Sequence, residues 1–184
     1  LVTRLHLLKC DGVNIDPFLA WLESTALSQW VIGSTSLFAF PGILSLHAIG
    51  MGFAVGISVV LDLRILGVAR SIPLVELRRF LPILWGGFWL NAVSGLLLLI
   101  GYPTKALTNP VFYLKLLLIA AAMVLLMQMS RRVFDDSARQ AFPADSPPSP
   151  ALRRMAIASL LCWTGAITAG RLLAYTYTRL TVLE

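Results

Sequence analysis

The chain has 184 residues, 58% of them hydrophobic and 13% charged, with a net charge of +6 and a mean hydropathy of +0.81. Soluble domains usually carry about 25% charged residues, so this composition excludes an ordinary water-soluble globule. The basic residues cluster beside apolar stretches, which is the pattern of membrane topology signals and not of a nucleic-acid surface.

In chain order, residues 1–15 (LVTRLHLLKC DGVNI) hold too short an apolar run for a signal peptide and read as a weakly ordered start. Residues 16–31 follow as an amphipathic helix. Asp16 is a capping residue with Pro17 at the first helical position. Phe18, Leu19, Leu22, Ala26 and Trp30 recur at helical spacing, with Glu23, Ser24 and Ser28 opposite. The segment is too polar to span a bilayer. It suits either the membrane interface, anchored by Trp21 and Trp30, or a place on its own bundle.

A transmembrane domain is expected over 37–178. About 20 apolar residues suffice to cross the hydrocarbon core, and four stretches qualify: 37–61, 80–101, 110–130 and 155–178. The fold class is therefore all-α, an integral membrane four-helix bundle preceded by an interfacial helix. Residues 133–152, rich in proline and small polar residues, read as a mobile loop. Arg64, Arg70, Arg78, Arg79, Arg131, Arg132, Arg139, Arg153 and Arg154 lie on one side of the four spans. Arg4, Lys9, Lys105 and Arg179 lie on the other. The positive-inside rule places the arginine-rich side in the cytoplasm and both termini in the periplasm.

Small residues mark several helix faces: Gly52 and Gly56, Gly165 and Ala169, and the group Gly86, Gly87, Ser94 and Gly95. In lipid these allow close helix approach, within one bundle or between copies of the chain in a homo-oligomer.

Four strongly polar side chains interrupt the spans, one in each: His47, Asn91, Lys115 and Arg171. At 1.5 Å per residue, each lies roughly 8–15 Å below the outer surface. Ionisable residues at such depths are functional-site candidates. Lys115 and Arg171 are cations with no acidic residue at their level, so an anionic ligand in the outer half would balance them. Haem b suits this arrangement, with His47 on the iron and Lys115 and Arg171 on the two propionates. Asn91 would orient the imidazole, and Tyr113, Tyr175 and Tyr177 would hydrogen-bond a carboxylate. For a second axial ligand the sequence offers Met123, or His6 outside the spans. Met123, Met127 and Met129 also raise copper, since thioethers select Cu(I), although methionines in apolar helices usually pack. Against these stand plainer roles: Lys115 and Arg171 snorkelling to the interface, and His47 bonded to a neighbouring helix. A quinone or other head-group site is a third reading.

The phrases SLHAIGMGFAVGISVVLDLRILGVA around His47, NPVFYLKLLL around Lys115 and WTGAITAGRLLAYT around Arg171 resemble a widespread family of small bacterial inner-membrane proteins of unassigned activity. The resemblance covers roughly residues 17–178. More distantly, a Leu-His pair early in one helix and a lysine early in another resemble CopD-like and HemJ-type membrane proteins, which implies haem binding. The resulting expectation is a small b-type cytochrome passing electrons between a periplasmic redox partner and quinone. The alternatives are a non-catalytic subunit or assembly factor of a larger membrane complex, or a copper or anion transporter. No nucleophile–base pair, phosphate loop or zinc spacing occurs, and Cys10 and Cys162 form no metal-ligand spacing. Any enzymatic role would be electron transfer rather than hydrolysis. Asp62 reads as a staple to Arg78 or Arg79 across the cytoplasmic connection.

Overall fold

A computed structural model describes residues 16–68, 72, 74–134 and 149–180 of the chain. These residues form helices α1 (Asp16–Glu23), α2 (Ala26–Gly33), α3 (Phe40–Leu66), α4 (Leu74–Arg78), α5 (Leu81–Gly101), α6 (Pro103–Leu107), α7 (Pro110–Phe134) and α8 (Pro150–Leu180). Four are long and apolar enough to cross a membrane: α3, α5 with the turn before it, α7 and α8. The fold is an all-α bundle of four membrane spans, and the chain is a multi-pass membrane protein. The segment 1–15, most of the loop 133–152 and the side chains of Asp16 and Tyr177 lie outside the described residues.

Capping chemistry carries several helix ends beyond the edges of the apolar runs, although α3 starts only at Phe40, inside the expected 37. α3 begins with Pro41 in its first turn and ends at Gly67, which adopts φ 88°. The Gly67 and Val68 N–H groups return to the carbonyls of Arg64 and Leu63 at 3.1 and 3.0 Å, a Schellman closure that needs the left-handed residue. This carries α3 past Leu61 and takes Asp62 and Arg64 into the helix. α8 starts early because Ser149 accepts from the Leu152 N–H at 3.3 Å, which brings Arg153 and Arg154 into its first turns.

The segment 16–31 is two helices rather than one. The Ser24 and Thr25 hydroxyls donate back to the Trp21 and Leu22 carbonyls, each at 2.7 Å. Thr25 Oγ1 then accepts from the Ser28 N–H at 3.3 Å and starts α2. Of the two expected roles, the structure bears on the packed one. Trp21 and Trp30 are exposed, while Val31 is buried against Gly101 at the C-terminal end of α5. Thr104 of α6 donates to Glu23 at 2.6 Å, tying α1 to the connection between the second and third spans.

α3 packs on α5 and on α8, and α7 packs on α8. The α3–α5 crossing is close because Gly50 and Gly87 face each other there. A methyl at Gly50 would lie 2.7 Å from the Gly87 carbonyl oxygen and from the Asn91 nitrogen. Gly52 and Gly56 instead face outward with nothing within 4 Å, so the expected close-packing step of α3 falls on Gly50. The hydrophobic core lies in the half of the bundle toward the C-terminal end of α3, where Leu61 and Ile65 of α3 and Leu84 of α5 meet Met123, Leu126 and Met129 of α7 and Trp163 of α8.

The expected staple from Asp62 is not made. Arg79 pairs with Glu76 at 3.3 Å, Arg64 Nε donates to the Ile72 carbonyl at 2.6 Å, and Asp62 is buried without a hydrogen-bond partner. The reason is rotational: residues 62 and 64 sit on different faces of one helix, and the face of Asp62 is the one buried against the bundle.

Candidate functional site

The close crossing of α3 and α5 brings His47 and Asn91 into reciprocal contact. Asn91 Nδ2 donates to the His47 carbonyl at 2.8 Å. His47 Nδ1 lies 3.0 Å from the Asn91 carbonyl and 3.2 Å from Ser94 Oγ. A carbonyl only accepts, so Nδ1 carries the proton, and in the neutral ring the lone pair is on Nε2. Ser94 spends its own proton on the Leu90 carbonyl at 2.6 Å. Gly95 completes the seat, since a methyl there would lie 3.0 Å from His47 Cε1. The ring is thus held by one carbonyl, one hydroxyl and the absence of one side chain, and it remains half-buried.

Lys115 enters from α7. Its stem lies along α8, where a methyl at Gly170 would be 3.6 Å from Cε and 3.8 Å from Nζ. The ammonium is within electrostatic reach of His47. Lys115 and Asn91 also share a cavity of about 20 Å³ with Met51, Phe88, Trp163 and Ala166, so all four spans contribute to its wall. That volume is about that of one water molecule, and its wall is mostly apolar.

The structure therefore brings His47, Asn91 and Lys115 together and leaves the other described candidates apart; His6 lies outside the described residues. Arg171 is exposed: one residue past Gly170, it is rotated by about 100° from the Lys115 contact. Tyr175 is exposed one turn further along α8, and Tyr113 spends its hydroxyl on the Leu107 carbonyl at 2.9 Å. Met123 is buried in the hydrophobic core, about 12 Å along α7 from Lys115. Ser94 and Gly95, noted in the sequence only as small residues, belong to the site. Their signal was the spacing of three and four residues from Asn91.

Comparison of the chain with protein-family models, with curated proteins and with solved structures gave no match.

Proposed function

We propose that this chain is a small b-type haem protein of a bacterial inner membrane, exchanging electrons between quinone and a periplasmic partner. The observation that carries the reading is the His47 hydrogen bond. A ligating histidine typically donates its other ring N–H to a carbonyl or carboxylate, which fixes the tautomer and strengthens the ligand nitrogen. Nδ1 of His47 does this with the Asn91 carbonyl and leaves Nε2 for iron. The donor chemistry fits haem at that nitrogen. The interhelical cavity, at about 20 Å³, has room for water and not for a macrocycle, so the ring would meet His47 from its half-exposed flank. Haem supplies one-electron exchange when bound. The chain supplies an imidazole of fixed orientation and, in Lys115, a positive charge close to it. Arg171, exposed on α8, would serve a carboxylate at the membrane surface rather than one inside the bundle.

The test is the absorption spectrum of the detergent-purified chain, oxidised and dithionite-reduced, with haem extracted and quantified. The expected result is a Soret band that shifts on reduction, at about one haem per chain or per pair of chains. His47→Ala should lose it at unchanged yield and helicity. A colourless protein from haem-replete cells overturns the reading.

A subunit role has one observation of its own: the outward face of α3 at Gly52 and Gly56, where no neighbour from another helix packs over the glycines. Stoichiometric co-purification of a membrane partner, lost in Gly52→Leu, would support that role, and a colourless chain purifying alone would count against both.

A further inference from the structure

The inner half of the bundle holds a second polar feature, roughly 22 Å along α3 from His47 and independent of the haem reading. Ser58 and Asp62 stand one turn apart on α3, and Ser159 and Trp163 stand one turn apart on α8, which packs against it. Trp163 Nε1 donates to Ser58 Oγ at 2.9 Å, joining one end of this quartet. At the other end the Ser159 hydroxyl lies beside the Asp62 carboxyl. Asp62 and Ser159 are both 0% exposed, and neither carboxylate oxygen nor the Ser159 hydroxyl has a hydrogen-bond partner. Their sequence neighbours Leu61, Ile65 and Ala156 belong to the hydrophobic core.

A carboxylate removed from water with neither a donor nor a counter-charge is strongly disfavoured. Among the described residues, the side chains packed around α3 supply no counter-charge. Arg64 is committed to the Ile72 carbonyl, and Glu76 to Arg79. Arg78 of α4, Arg131 and Arg132 of α7, and Arg153 and Arg154 of α8 are exposed. α5 carries no charged residue, and Cys162, half-buried on α8, brings no positive charge. An intramembrane carboxyl in this situation points to a small cation as its missing partner.

We propose that Asp62, with the hydroxyls of Ser159 and Ser58, is a binding site for one monovalent cation, a proton or a sodium ion. Either satisfies the same chemistry: a single positive charge on the carboxyl, with the Ser159 oxygen as the next acceptor or ligand. Ser58 keeps a lone pair for the site because it uses only one to accept from Trp163. The site lies toward the arginine-rich end of the bundle, so exchange would occur from that side.

The experiment measures the thermal unfolding of the purified full-length chain in two series. In the first, sodium chloride replaces choline chloride at constant pH and ionic strength. In the second, pH is raised with no sodium present. A sodium site raises the folding equilibrium constant up to tenfold for each tenfold rise in sodium above its dissociation constant. A proton site lowers that constant up to tenfold for each pH unit above the ordinary carboxylate range, because the folded chain holds a proton that the unfolded chain releases. Asp62→Asn, which keeps the shape and removes the charge, should abolish whichever dependence the parent shows. Ser159→Ala should weaken it and serves as the variant if Asp62→Asn does not fold. Absence of both dependences in the parent overturns the proposal, as does a dependence that persists unchanged in the variants.

Discussion

At the level of single residues, the His47–Asn91 pair shows how a helix crossing creates chemistry. Helical carbonyls are already bonded within their own helices, yet His47 and Asn91 each receive a second donor from the other's side chain. This is available only because Gly50 and Gly87 let the two backbones approach. Gly50→Ala should therefore act on both packing and site. Its methyl would sit 2.7 Å from backbone atoms of α5, which cannot give way as a flexible side chain can. The expected loss is about 1–3 kcal/mol of stability, read by thermal unfolding, whereas Gly52→Ala, with open space around it, should be neutral. Asn91→Ala removes the interhelical bond alone. Such bonds in membrane bundles average about 0.6 kcal/mol and reach about 1.7, so a small stability loss is expected by thermal unfolding, while the His47 bond to the Asn91 backbone carbonyl stays. His47, Asn91 and Lys115 were legible as polar residues in apolar runs. Arg171 looked equivalent because depth is readable from span position, while rotation about the helix axis is not. A step of about 100° separates Gly170, which meets the Lys115 stem, from Arg171 on the exposed side. Asp62 was misassigned for the same reason: its place at the end of the apolar run suggested Arg78 or Arg79 as a partner, and its face of α3 points inward.

At the level of elements, hydropathy locates the spans and capping sets their ends. The apolar run of the first span stops at Leu61, but the helix continues until Gly67 can close it. Gly67→Ala forces a side chain into a left-handed conformation at φ 88°, and a loss of about 1 kcal/mol is expected by thermal unfolding. The break between α1 and α2 was not legible. Ser24 and Thr25 are tolerated within helices, and their hydroxyls decide the outcome only by bonding back to the preceding turn. Thr25→Ala should cost about 1 kcal/mol through loss of the α2 cap. The effect should be local, seen as faster amide exchange in residues 26–33 with the spans unchanged. The tie between Thr104 and Glu23 at 2.6 Å explains why these two short helices are not a loose interfacial segment. Together with α6 they cover the end of the bundle nearest His47.

At the level of the whole molecule, the two polar features divide the bundle. His47, Asn91 and Lys115 occupy the half that α1, α2 and α6 cover, and Asp62 with Ser159 occupies the half that ends in arginines. Which half faces the cytoplasm decides what each can meet. The arginines answer it through their placement: Arg64, Arg78, Arg79, Arg131, Arg132, Arg153 and Arg154 all lie at one end of the spans, and Lys105 lies at the other. The bias in short connections sets orientation, so the His47 half is predicted to face the periplasm. Single cysteines introduced after replacing Cys10 and Cys162 with serine give the measurement. Thr35→Cys, exposed between α2 and α3, and Arg153→Cys, exposed in the first turns of α8, lie at opposite ends. A membrane-impermeant maleimide added to intact cells with a permeable outer layer should label Thr35→Cys and spare Arg153→Cys until the inner membrane is opened. The reverse pattern would put His47 on the cytoplasmic side. A periplasmic electron partner would then be excluded on geometry alone, and Asp62 would draw its cation from the opposite compartment.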